Sequence, residues 1–218
     1  MRVIAIDGPA GAGKSSVAKQ VSATTGLPYL DTGAMYRCVA YAIQVKSIDI
    51  NDASAVGEVA RTANIEINED TALLDNVDVS SLIRSSEINS IVSVIAAHSP
   101  VRDAMRQQQR DWISTHGGGV VEGRDIGTVV FPDAVLKIFL TATPMVRAER
   151  RVSQNGGDLE QVAAAIAERD HIDSSREDSP LKPSHDSYEV DSSNKNITDV
   201  VAEIVTLFRQ KEESIDHG

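Results

Sequence analysis

The chain has 218 residues, a net charge of −11 and a hydrophobic content of 41%, with only 4% aromatic residues. That length suffices for one α/β domain with an insertion and an Ala/Val/Ile-packed core, and the acidic balance argues against a nucleic-acid binder that depends on phosphate contacts. No run of 18 apolar residues marks a membrane span, no signal-peptide pattern opens the chain, and the single cysteine, Cys38, excludes an intrachain disulfide and fits a reducing cytoplasm.

Residues 3–6 form a short apolar run, as a buried parallel strand does. It leads into Gly8-Pro9-Ala10-Gly11-Ala12-Gly13-Lys14-Ser15, which satisfies G-x-x-x-x-G-K-[ST], the P-loop. Val17 and Val21 then give residues 16–25 a helical spacing. In a strand–loop–helix context this motif turns successive backbone N–H groups toward phosphate oxygens, and the helix adds its positive end. Lys14 would reach the β and γ phosphates of ATP and the Ser15 hydroxyl would hold Mg²⁺. Gly8 through Ser16 are therefore the expected ATP-binding residues.

Tyr29-Leu30 reads as a second strand ending at Asp31-Thr32-Gly33, and residues 34–45 as a helix with Tyr36 and Arg37 near its start. Residues 52–62 read as a third helix, capped by Asn51 or Asp52. Residues 64–79 change character: short alternating runs separated by Asn and Asp predict an antiparallel meander inserted into the α/β alternation. Residues 86–97 and 100–115 show helical spacing, the second carrying Arg102, Arg106 and Arg110.

Gly117-Gly118-Gly119 releases that helix into the strand Val120-Val121-Glu122, followed by Gly123-Arg124-Asp125-Ile126-Gly127-Thr128. Residues 134–140 are the clearest strand in the chain. A helix from Thr143-Pro144 to about residue 154 carries Arg147, Arg150 and Arg151 and stops at the Asn155-Gly156-Gly157 break. Residues 159–170 read as helix, 172–187 as loop, 188–191 as the last strand, 197–211 as the last helix, and 212–218 as a frayed tail.

Strands alternating with helices predict a parallel sheet covered on both faces, with ligands beyond the strand C-termini. The P-loop, Asp31-Thr32-Gly33 and Gly123-Arg124-Asp125 all arrive at that edge. Arginine outnumbers lysine 14 to 7, and guanidinium suits bidentate grips on phosphate or carboxylate. An acidic exterior with local arginine clusters suggests a small anionic ligand. Lys14, Arg124, Arg150 and Arg151 are the candidate catalytic cations, the last two on a lid that shuts out water. Arg37, Arg102, Arg124 and Arg176 could converge on an acceptor phosphate. Such an acceptor needs no general base, because a nucleotide phosphate with a second pKa of about 6 is already nucleophilic at pH 7.

Taken together, residues 8–16, Asp31-Thr32-Gly33-Ala34-Met35-Tyr36-Arg37, Asp78-Val79 through Ile83-Arg84 to Glu87-Ile88, residues 123–134, and Glu168-Arg169-Asp170 with Asp173 and Arg176 resemble bacterial cytidylate kinase over residues 1 to about 211. The resemblance implies a P-loop NTPase three-layer α/β fold with a central parallel five-stranded sheet, a helical lid and an inserted mixed β/α monophosphate-binding subdomain. It places the core at about 1–35, 117–145 and 186–211. The monophosphate-binding region falls at about 36–116, with its β insert at 63–99, and the lid at about 146–170, all within one domain.

It implies transfer of a phosphoryl group from ATP, with Mg²⁺, to CMP or dCMP by a cytoplasmic monomer with no nucleic-acid or membrane partner. Thr32, Arg102 and Asp125 match the cytosine-reading positions. Arg37, Arg124 and Arg176 match those that grip the acceptor phosphate, and Ser93, Arg169 and Asp173 those that contact the pentose. Tyr36 would pack against the base. Thr32 stands where the family more commonly has Ser, which keeps the hydroxyl and adds a methyl. Two other readings stay open. One is a P-loop kinase for UMP or a hydroxyl acceptor, with Asp31 or Asp125 as base. The other is a nucleotide switch, against which Ile197 stands where a guanine-reading Asn-Lys-x-Asp motif starting at Asn194 needs Asp.

Overall fold

A computed structural model describes residues 2–216. Strand β1 (Arg2–Asp7) is followed by helix α1 (Lys14–Thr25), β2 (Tyr29–Asp31), α2 (Thr32–Val45) and α3 (Ala53–Thr62). Then come β3 (Ile65–Ile67), β4 (Ala72–Leu74), β5 (Val77–Asp78), α4 (Ser86–Ile95) and α5 (Ser99–His116). The chain continues through β6 (Gly118–Gly123), β7 (Leu136–Thr141), α6 (Pro144–Asn155), α7 (Leu159–Ser175), β8 (Tyr188–Asp191) and α8 (Ile197–Asp216).

Five strands form one parallel sheet in the order β2-β6-β1-β7-β8, as the α/β alternation predicts. Successive side chains on a strand point to opposite faces, and the two layers divide accordingly. Val3 and Ala5 pack with Leu30 and Val121 against α2, α3, α4 and α5. Ile4 and Ile6 pack with Val120, Ile138 and Val190 against α1 and α8. β1 is central and, past Arg2, wholly buried, which accounts for its uninterrupted apolar run.

The inserted meander is a three-stranded antiparallel sheet, β3-β4-β5. Leu74 pairs with Val77, so Asp75 and Asn76 are a two-residue hairpin loop, both at positive φ (51° and 65°), the geometry for which Asp and Asn are selected. The expected cap of α3 is present, Asp52 accepting from the N–H of Ser54 and Ala55; Asp31, read only as part of a turn, also caps α2, accepting from Ala34 N at 2.9 Å.

Three readings are corrected. Residues 172–175 are not loop but the last turn of α7. Asp and Ser propensities disfavour helix there, but Asp173 is buried against Arg124, and that tertiary pairing prevails. Residues 212–216 continue α8 rather than fraying, with Glu212 paired to Arg2 Nε at 2.5 Å; residues 217 and 218 of the expected tail lie outside the described residues. Finally, residues 126–130, read only as part of a motif, form a π-helical turn, with Phe131 N donating to Ile126 O at 2.7 Å. Among the described residues no helix is long and apolar enough to cross a membrane.

Candidate active site

The C-terminal ends of β1, β2 and β6 open into a cleft of about 450 Å³. Gly8 begins the P-loop at φ 153°, and a Cβ there would stand 2.0 Å from Leu140 O; only glycine lets β1 turn this closely past β7. Ala10, Gly11, Gly13, Lys14, Ser15 and Ser16 line the cleft. Gly8, Pro9 and Ala12, also predicted as binding residues, lie behind it. Pro9 O accepts from Lys14 Nζ at 2.9 Å, and Ala12 O accepts from Ser192 Oγ at 3.1 Å and Arg150 Nη1 at 3.3 Å.

The remaining predicted residues come together in the same cleft. Thr32, Tyr36, Arg37, Ser93, Arg102, Arg124, Asp125, Arg150, Arg151, Arg169, Asp173 and Arg176 all line it. They arrive from α2, α4, α5, the end of β6, α6 and α7. Nine cationic and four acidic side chains line this one cleft, in a chain whose net charge is −11. The cations crowd one another. Burial, and then the neighbouring Arg124, lowers Lys14 to about 7 and Arg169 to about 9. Arg151 is lowered by burial and by Arg124, and Arg37 by burial, against the pull of Asp31. The Nε of Arg37, the Nε of Arg169 and Nη2 of Arg176 are buried donors with no hydrogen-bond partner among the described residues. Charge of one sign, desolvated and carrying spare donors, is what an anion-binding site requires.

Ion pairs hold these groups in place. Asp173, from the turn of α7 that the sequence did not reveal, meets Arg124 Nε at 2.8 Å, Arg176 Nη1 at 3.8 Å and Arg169 Nε at 4.0 Å. Arg102 is 1% exposed; it donates through Nη2 to Asp125 at 2.5 Å and through Nη1 to Ala96 O at 3.1 Å, with Tyr36 packed against its guanidinium at 5.6 Å. Arg176 Nη2 lies 3.6 Å from the other oxygen of Asp125. Thr32 Oγ1 donates to Glu122 O at 2.6 Å.

Helices α6 and α7 form a hairpin along one wall. Arg147, on α6, does not face solvent. It is buried, donating to Ala10 O at 3.0 Å and Ala142 O at 3.1 Å and pairing with Asp170. Arg150 donates to Ser192 O at 2.7 Å and Ser192 Oγ at 2.9 Å. The root of the hairpin is thus fastened to the P-loop and to the residue after β8. Gln154 and Asn155, at its far end, line the cleft.

Sequence reasoning missed several cleft residues. Glu122 is buried, accepts from Tyr29 Oη at 2.5 Å and lies within hydrogen-bond reach of Ser15; burial and Asp31 raise its pKa. Its position at the end of the strand beside the P-loop strand was the available signal. Arg84 and Asn89 reach the cleft from the insert, Arg84 standing 3.8 Å from Asp31. Arg84 stands in a stretch on which the resemblance rests, but no local pattern gives it or Asn89 a role.

A family model described as cytidylate kinase matches residues 4–210. A bifunctional pantoate ligase/cytidylate kinase of Trichormus variabilis is 46% identical over 96% of this chain, which spans only 41% of that protein's length. A cytidylate kinase of Listeria welshimeri is 43% identical, with 95% of this chain and 96% of the relative covered. Among solved structures, a gluconokinase from Sinorhizobium meliloti shares the fold at 15% identity, with a TM-score of 0.50 over 99% of this chain and 96% of that one. The chain belongs to the cytidylate kinase family.

Proposed function

We propose that the protein transfers the γ-phosphoryl group of ATP to CMP or dCMP. The observation that carries this reading is the facing of a P-loop and a set of convergent arginines across one cleft, in a chain of this family. ATP would lie with its β and γ phosphates on the N–H groups of residues 10–16 and on Lys14. Arg37, Arg124 and Arg176 would hold the acceptor phosphate, and Arg150 and Arg151 would meet the transferring group between the two nucleotides. Ser93, Arg169 and Asp173 would contact the pentose.

Ser15 and the neighbouring carboxylate of Glu122 offer hard oxygen donors at the P-loop, which fit Mg²⁺. When bound, the ion supplies charge neutralisation between the β and γ phosphates. The chain's own residues do the rest. They bring two anions end to end, offset their repulsion and exclude water, which is most of what phosphoryl transfer asks of a protein.

For the base, the Thr32 hydroxyl points its one hydrogen at Glu122 O, so its oxygen can accept from the cytosine N4 amino group but the hydroxyl cannot donate to the O4 of uracil. Arg102, fixed by Asp125 and Ala96, can donate to the O2 and N3 acceptors, with Tyr36 against the ring. Asp125 and Asp31, which a hydroxyl acceptor would need as a base, are occupied: Asp125 by two arginines and Asp31 by the cap of α2 and Arg84. We further propose a monomer acting in a reducing compartment, in keeping with the free, buried Cys38. The test is ADP release with ATP, Mg²⁺ and each of CMP, dCMP, UMP, AMP and GMP. Turnover stimulated by CMP and dCMP supports the assignment; turnover indifferent to the acceptor, as a nucleotide switch would show, overturns it.

A further inference from the structure

Arg176 is the acceptor-side arginine least supported by its own element. It lies just past the end of α7, at the start of a stretch without regular structure that runs to β8. Yet its side chain is only 5% exposed, and its buried Nη2, 3.6 Å from Asp125 Oδ1, makes no hydrogen bond. Its Nε donates to Ser179 O at 2.7 Å, a closer contact than those to Asp173 and Asp125 at 3.8 and 3.6 Å, so that carbonyl does most to place the guanidinium. Ser179 is buried and sits at φ 55°, a left-handed backbone that a non-glycine residue keeps only when its surroundings hold it.

What holds it comes from another helix. Arg106 of α5 donates through Nη1 to Asp178 Oδ1 at 2.8 Å and through Nη2 to Asp178 Oδ2 at 3.2 Å, a two-point grip. Its Nη1 also meets Ser179 Oγ at 2.9 Å, while that hydroxyl bonds Asp178 Oδ1 at 2.7 Å. Arg106 lies one helical turn from the buried Arg102, whose Nε is 3.8 Å from the same Asp178 oxygen. The remaining partner of Arg106, Asp103, is exposed and on the same helix, so it cannot tie α5 to anything.

We propose that Arg106 and Asp178 act as one strap that clasps the stretch after α7 to α5 and sets the position of Arg176 against the acceptor phosphate. They are positioning residues: neither lines the cleft, and they act through Ser179 O. This rests on the reading of the cleft as a monophosphate site. The strap serves the acceptor half alone, because the P-loop and the root of α6 are held by other contacts.

The experiment measures KM for CMP, KM for ATP, kcat and Tm for wild type, Arg106→Leu, Asp178→Val and the double variant. Misplacing one phosphate ligand should raise the CMP KM about tenfold or more in each single variant while the ATP KM stays within about twofold. The double variant should be no worse than either single one, because the two side chains act as a unit. Asp178→Asn, which keeps shape and one acceptor oxygen, should fall between; it also serves if Asp178→Val does not fold. In an Arg176→Ala background the same substitutions should have little further effect. A CMP KM unchanged in folded variants overturns the strap, as does an equal rise in both KM values accompanied by a fall in Tm. A wild type that phosphorylates no monophosphate overturns the acceptor reading itself, and the strap with it.

Discussion

Asp7, the last residue of β1, accepts a hydrogen bond from the backbone N–H of Gly127 at 2.7 Å, across 120 residues of chain. Its other oxygen accepts from Ile126 N at 2.8 Å. One buried carboxylate therefore joins the root of the P-loop to the first turn of the π-helical segment that follows Arg124 and Asp125. The P-loop and the Gly123-Arg124-Asp125 turn are registered to each other at this point.

Asp7→Asn should loosen that joint, since an amide has one acceptor oxygen and its NH₂ faces an N–H. The cost of an unmatched buried donor is about 1–3 kcal/mol. Burial raises Asp7 to about 6 from its ordinary 3.8. A carboxyl with a raised folded pKa costs stability once both states are ionised, so its contribution falls as pH rises from about 4 to 6 and is level above. The stability advantage of wild type over Asp7→Asn should then grow as the pH falls from 7.5 to 5, as read by urea unfolding at several pH values. A pH-independent difference would contradict the assignment.

Lys14 has its pKa lowered to about 7 by burial and Arg124. Phosphate oxygens would draw the proton back, so ATP binding at pH 8 should take up protons. Calorimetry in buffers of different ionisation enthalpy measures this directly. Lys14→Met should abolish the uptake, and Lys14→Ala should leave a folded protein with turnover lower by several orders of magnitude. Near-normal turnover would remove the P-loop from the mechanism.

The pair Arg102–Asp125 is almost wholly buried, with side chains 1% and 7% exposed. Asp125→Ala leaves Arg102 without its close partner, and breaking a buried pair in this way costs about 3–5 kcal/mol. It should weaken CMP far more than ATP in equilibrium binding, because the P-loop does not touch this pair. Equal loss of both ligands would mean that Asp125 serves the donor side or the fold.

Thr32→Val keeps the volume and removes the lone pairs that face the cleft. We expect kcat/KM for CMP to fall by about 10- to 100-fold while that for UMP changes little, narrowing the preference between them. An equal fall for both acceptors would point to lost packing instead of lost readout.

Much of the cleft was legible because it is written in local patterns. The P-loop, Asp31-Thr32-Gly33 and Gly123-Arg124-Asp125 all stand at the ends of strands that their own apolar runs reveal, and a parallel sheet gathers such ends at one edge. Glu122 was within reach of the same argument, as the residue closing the predicted strand 120–122. Arg84 and Asn89 were not, because the insert folds over the cleft through contacts no periodicity encodes.

The sequence by itself determined the order of strands and helices, the phosphate-binding loop and the pool of arginines, because strand alternation, helical spacing and glycine turns depend on neighbours a few residues away. Only the tertiary structure decided which carboxylate restrains which guanidinium. Asp173 extends α7 against its own propensity, Asp7 clasps Gly127, and Arg106 holds Asp178. Each of these rests on desolvated charges brought together from distant parts of the chain, an energy that exists only once the layers have packed.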